Sequence, residues 1–266
     1  MKQRELNFPG CRDATLFGRG WLPEAAPRSV IVISHGLAEH GGRYAELAVR
    51  LAGKGYAVYA IDHRGHGRSS GRRANIDRFD YLVSDLGIFI GRAQREHPDS
   101  PVILFGHSMG GAVALACALK YHKVLRALVL SAPALAAGEA LPAFKVWLVK
   151  LLSAIAPNTG ALTLPATAVS RDPAVVRAYE SDPLVFRGSI PARTLAELLL
   201  AMQRLQKTAH ELRVPVLVQH GTADLLVPLA AVYPIYQHLG AAKSRTLQVY
   251  EGLYHEIYNE PERDRV

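Results

Sequence analysis

The chain has 266 residues, 49% of them hydrophobic and 20% charged, with a net charge of +8. That length and balance suit one large globular domain carrying an inserted subdomain, and exclude a disordered or low-complexity chain. The positive charge is scattered, and without a helix-turn-helix, zinc-finger or RNA-binding signature it gives no basis for a nucleic-acid partner.

The densest basic run holds Arg64, Arg68, Arg72 and Arg73 among glycines and serines and reads as a solvated loop. Two cysteines, Cys11 and Cys117, are too few for a disulfide framework. Met1–Gly10 has no apolar secretory core. Leu151–Ser170 lacks charge, but Pro157, Asn158, Gly160 and Pro165 interrupt it, so no membrane span is expected. A soluble, cytoplasmic protein is the expectation, with any membrane contact peripheral.

In chain order, Ser29–Ser34 (SVIVIS) predicts a buried strand and Tyr44–Leu51 a helix. Tyr56–Ile61 (YAVYAI) predicts the next strand and Phe79–Glu96 a helix. Pro101–Phe105 (PVILF) is a strand, Met109–Lys120 a helix and Ala127–Leu130 a strand. Short, continuously apolar strands alternating with helices predict an α/β fold with a mostly parallel sheet covered on both faces. From 134 to 207 the alternation stops. Helices are predicted at Leu141–Ile155 and Leu195–Gln206, with no strand between them. Strands resume at Pro215–Gln219 and Thr246–Tyr250. The expected organisation is a core from residues 1–133 and 208–266, with a helical cap at 134–207. No final helix follows His255 before Val266, where this fold usually carries one. That points to a truncated chain or an open sheet face.

Gly106-His107-Ser108-Met109-Gly110 matches G-x-S-x-G directly between a predicted strand and a predicted helix. There a serine sits on a sharp turn with its hydroxyl exposed, at a helix N-terminus that favours negative charge. This is the nucleophile position of the α/β-hydrolase fold. A serine hydroxyl needs a base, and the base needs an acid to fix its tautomer. Asp224 follows one C-terminal strand and His255 the next, in the order this fold uses. Asp62 also follows a strand, but it precedes the serine in the chain and is a weaker candidate for the triad's acid. The backbone N–H groups of Leu37, after the first predicted strand, and of Met109 are the expected oxyanion donors. His35 is expected to brace that loop.

Beyond the pentapeptide, HGLAEHGGRY (His35–Tyr44), DHRGHGRSSG (Asp62–Gly71), GHSMGG (Gly106–Gly111), SDPL (Ser181–Leu184), HGTADLLV (His220–Val227) and GLYHEIYNEPER (Gly252–Arg263) stand along nearly the whole chain. On these segments the sequence resembles the monoacylglycerol lipases of bacterial type, within the serine hydrolases that include lysophospholipases and S33-type aminopeptidases. The resemblance implies a Ser108–Asp224–His255 triad. It also implies a glycerol ester of one fatty acid as substrate, with an acyl tunnel under the cap. Glu39, Arg43 and Tyr179 would lie at the glycerol end. Their alternative roles are a loop-bracing ion pair and a packing tyrosine.

The apolar residues Leu141, Phe144, Val146, Trp147, Leu148, Val149, Leu151, Leu152 and Ile155, with Lys145 and Lys150, make a cap helix suited to transient contact with a membrane or micelle. Lysophospholipids, thioesters, other carboxylesters and peptides remain alternative substrates, and a non-catalytic binding protein an alternative class. No metal or other cofactor is expected. His255-Glu256 begins like a zinc-binding helix motif, but Asn259 stands where its second histidine belongs.

Overall fold

The computed structural model describes residues 1–136, 143–239 and 245–266. The core elements are β1 (Lys2–Pro9), β2 (Thr15–Leu22), β3 (Val30–Ser34), α1 (Ala45–Gly53), β4 (Ala57–Asp62), α2 (Phe79–Glu96), β5 (Val102–His107), α3 (Met109–Lys120) and β6 (Leu125–Ser131). The block after β6 holds α4 (Ala143–Ile155), β7 (Gly160–Leu162), α5 (Pro173–Ser181), β8 (Ile190–Pro191) and α6 (Ala192–Thr208). The core then resumes with β9 (Val216–Gly221), α7 (Leu229–His238) and β10 (Arg245–Tyr250).

The main sheet runs β1-β2-β4-β3-β5-β6-β9-β10. From β4 to β10 every neighbouring pair is parallel, while β2 pairs antiparallel with both β1 and β4. All residues of β3 and β4 are buried. Val30 and Val32 join Tyr59 and Ile61 in the core under α2 and α3, while Ile31 and Ile33 join Val58 and Ala60 against α1. Side chains alternate faces along a strand, so a sheet covered on both sides leaves no polar positions in its centre. Along α2, Phe79, Leu82, Val83, Leu86, Phe89, Ile90 and Ala93 are buried at helical spacing. The same helix buries Asp85, which the Arg64 guanidinium grips through Nε (2.6 Å) and Nη2 (2.9 Å).

Several elements depart from the sequence expectations. β1 and β2 lie where no strand is predicted. Charged Lys2, Arg4 and Glu5 and the glycines of β2 conceal the alternation, and pairing with each other and with β4 supplies the order instead. β7 and β8, three and two residues long, form a small antiparallel pair inside the inserted block, where no strand is expected. α7 carries Pro234 within it, which hides a helix from a propensity reading. Leu141 of the predicted cap helix lies outside the described residues.

The inserted block is fastened to the core at several points. Thr194 accepts the Ile76 N–H at 2.8 Å and donates to the Ala74 carbonyl at 2.7 Å. His40 Nε2–H donates to Asp182 (2.9 Å), and the Arg171 amide and Nε donate to buried Glu260. The Glu256 amide donates to Val169 O at 2.8 Å. All of these fastenings start from residues 169–194, beyond α4.

Candidate active site

Ser108 joins β5 to α3 with φ 54° and ψ −123°. A residue with a side chain takes positive φ only when its surroundings hold it there. The surroundings here are close backbone. A Cβ added at Gly110 would stand 2.1 Å from the Ser34 carbonyl oxygen, and one at Gly106 would stand 2.5 Å from Gly110 O. Only glycines let α3 pass that near to β3 and β5. Gly36 lies against the serine in turn, its absent Cβ position being 3.2 Å from Ser108 Cβ.

Asp224 is at the turn after β9. Its Oδ1 accepts the Leu226 and Val227 amides at 2.8 and 2.9 Å, and its Oδ2 accepts His255 Nδ1–H at 2.7 Å. His220 Nε2–H, which donates to Val227 O at 2.7 Å, lies 3.3 Å from the same Oδ2. Burial opposes ionisation of Asp224. Hydrogen bonds from His220, His255 and the Val227 amide prevail and hold its carboxyl well below the usual range. His255 is therefore held by a charged partner with Nε2 left bare, the tautomer a general base requires. Ser108 and His255 line one cavity, and the serine hydroxyl makes no hydrogen bond among the described residues. Leu37 and Met109 line the same cavity, and their amides likewise donate to no described protein group.

The cavity measures about 700 Å³. Its walls are mainly apolar, with Leu148 and Leu152 from α4, Leu198, Leu199 and Met202 from α6, and Leu226 beside the acid. Glu39, His107 and Glu256 form a polar end, behind which a pocket of about 20 Å³ reaches Arg43 and Asn259. Arg43 Nη1 donates to Glu39 (2.9 Å) and to Glu256, and Nη2 to Glu256 (2.8 Å). The Tyr179 ring covers that guanidinium at 4.7 Å. Burial works against charge on Glu256, but Arg43 outweighs it and keeps the carboxyl low. Burial, then Glu39, pushes the Tyr179 phenol up to about 12. Glu39 Oε1 also accepts the Gly36 amide at 2.6 Å and the Tyr44 hydroxyl at 2.8 Å. The loop-bracing ion pair expected as one role for Glu39 and Arg43 is thus present, beside the cavity.

His35 Nδ1–H donates to Gly36 O at 2.7 Å, and its Nε2 accepts the His63 amide at 2.9 Å. Its ring is 4.7 Å from that of His63 and 5.3 Å from that of His66. Asp62 spends its carboxylate on the Gly41 and Arg68 amides, each at 2.9 Å, and is occupied as a loop brace. Sequence reasoning missed Glu256, His220 and His107. Glu256 gave no such signal, because the buried Arg43 that it shares with Glu39 comes to it only in the folded chain. His107 and His220 each lie inside a quoted motif, but only the packed structure brings them to the cavity and to Asp224.

A strained serine between strand and helix, an acid-held imidazole and a shared cavity at the ends of parallel strands define a serine ester hydrolase of the α/β-hydrolase fold. Residues 25–262 match the family described as serine aminopeptidase, S33, and the chain belongs to that family. It is 40% identical to the monoacylglycerol lipase of Mycolicibacterium smegmatis, over 98% of this chain and 93% of that one. It is 37% identical to the monoglyceride lipase of Homo sapiens, over 92% of this chain and 81% of that one. The solved monoacylglycerol lipase of Paleococcus ferrophilus superposes with a TM-score of 0.81 at 32% identity, covering 100% of this chain and 95% of that one.

Proposed function

We propose that this hydrolase cleaves monoacylglycerols to glycerol and a fatty acid, with Ser108, Asp224 and His255 as its triad. His255 Nε2 takes the Ser108 proton as the hydroxyl oxygen attacks the ester carbonyl, and Asp224 stabilises the imidazolium that forms. The amides of Leu37 and Met109 receive the oxyanion, the second strengthened by the N-terminus of α3. His255 then protonates the departing glycerol oxygen. Water, deprotonated by the same imidazole, releases the fatty acid from Ser108.

The observation that carries the reading is an Asp224–His255 pair at 2.7 Å opening, with Ser108, into a cavity of about 700 Å³ that is apolar along its walls and polar at one end. Each buried methylene contributes about 0.8 kcal/mol, so such walls favour a long acyl chain. The polar end, with Glu39, Arg43 and Tyr179, suits the hydroxyls of glycerol. Relatives named monoacylglycerol and monoglyceride lipases support the same substrate.

In this reading residues 134–207 are a cap, and α4 is its contact with lipid. Phe144, Trp147 and Ile155 are 65%, 63% and 71% exposed, an unusual display for a monomer's surface, and Lys145 and Lys150 flank them. Among the described residues no helix is long and apolar enough to cross a membrane, so the contact would be peripheral.

Ser108→Ala is expected to lower kcat on 1-oleoylglycerol by at least about 10⁴-fold while leaving the thermal unfolding midpoint close to that of the parent. Retained turnover in a folded Ser108→Ala protein would overturn the assignment.

A further inference from the structure

The polar end of the cavity is unbalanced in charge. Two carboxylates, Glu39 and Glu256, converge on one cation, Arg43, and the three side chains are only 5%, 7% and 9% exposed respectively. Salt in the solvent screens such a group poorly. The carboxylates line the large cavity, while Arg43 lines only the small pocket behind it, under the Tyr179 ring. Lys145 also reaches the large cavity, but from α4, where it is open to water.

A second feature points the same way. His107 is 5% exposed and lines both spaces. Its Nδ1–H donates to the Ser131 carbonyl at 3.1 Å, which leaves Nε2 as a bare lone pair with no partner among the described residues. The wall facing the alcohol therefore offers acceptors: two carboxylates and an imidazole nitrogen.

We propose that Glu39, Glu256 and the His107 lone pair select the alcohol half of the ester by charge, admitting neutral polyols and cationic alcohols and rejecting anionic ones. A glycerol hydroxyl can donate to these acceptors. A choline cation finds a net negative field. A phosphate on the glycerol brings acceptors and nearly two negative charges to a place already one charge in excess. The inference rests on the ester-hydrolase reading above, with the leaving alcohol at this end.

The test compares kcat/KM for three esters of one short acyl chain, below micelle-forming concentrations: with glycerol, with glycerol 3-phosphate and with choline. The parent protein is expected to cleave the glycerol and choline esters at comparable rates and the phosphate ester at least about 100-fold more slowly, as one or two unscreened like charges require. Glu256→Gln and Glu39→Gln should each narrow the glycerol-to-phosphate gap by about tenfold and lower choline turnover relative to glycerol. A shift of the anionic and cationic esters in opposite directions cannot come from general damage to the site. Equal turnover of the glycerol and phosphate esters by the parent protein overturns the inference, whether or not either variant is active. Failure on the glycerol ester with cleavage of an aminoacyl amide would instead overturn the substrate reading.

Discussion

Asp224 shows how much of the site one side chain organises. Its carboxylate takes two amides of its own turn, the imidazole of His255 and the neighbouring His220. In the proposed mechanism only the bond to His255 bears on proton transfer, and the rest hold the carboxylate still. Asp224→Asn is expected to lower kcat by about 10⁴-fold, because an amide there can present the wrong group to His255 Nδ1. His220→Phe should cost only about tenfold in kcat, since both amides still grip Oδ1. Measured kcat values for the two variants check this, and equal losses would mean that His220 shares in the chemistry. That Ser108, Asp224 and His255 each follow a strand, in the chain order this fold uses, was legible before folding. Glu256 was not, because its role depends on an arginine 213 positions away in the chain.

At the scale of elements, strands covered on both faces were the easiest to read. β3 through β6 and β9 announce themselves as apolar runs, and α2 by its helical spacing. The elements missed are those ordered by neighbours rather than by their own composition: β1 and β2 at the sheet edge, the short pair β7 and β8, and α7 with its internal proline. α4 is legible as a helix, but its apolar residues divide between two environments that periodicity alone does not separate. Leu148, Val149 and Leu152 line the cavity, while Trp147 and Ile155 are exposed and absent from its walls. Trp147 makes the proposed lipid contact measurable, because the other tryptophan, Trp21, is 4% exposed in the core. Addition of phospholipid vesicles is expected to shift tryptophan emission to the blue in the parent protein. Trp147→Tyr should abolish the shift, and an unchanged parent spectrum would remove the case for α4 as the contact.

For the whole molecule, buried histidines set the response to acid. Burial lowers His35 and His66 to about 3 and His107 to about 4, and carries His63 well below its ordinary value. In the unfolded chain each returns to roughly 6.5, so between there and about pH 4 the unfolded state binds more protons than the folded one. Stability is full above pH 6.5 and falls as pH drops through that window. Four groups titrating together give a slope of up to about 5 kcal/mol per pH unit. Calorimetry is expected to show the unfolding midpoint dropping steeply between pH 6.5 and 4.5, and a constant midpoint there would contradict the burial of neutral imidazoles.

The hydrogen bond from the Glu256 amide to Val169 O ties the residue next to His255 to the inserted block, within a few residues of where Arg171 is anchored on Glu260. Swinging the entire roof outward would thus tug the imidazole off its carboxylate. Lifting only α4, which none of those anchors holds, would uncover the chamber and leave the proton relay undisturbed. In the proposed mechanism, entry of substrate past α4 and alignment of the catalytic groups would in this way be mechanically separate.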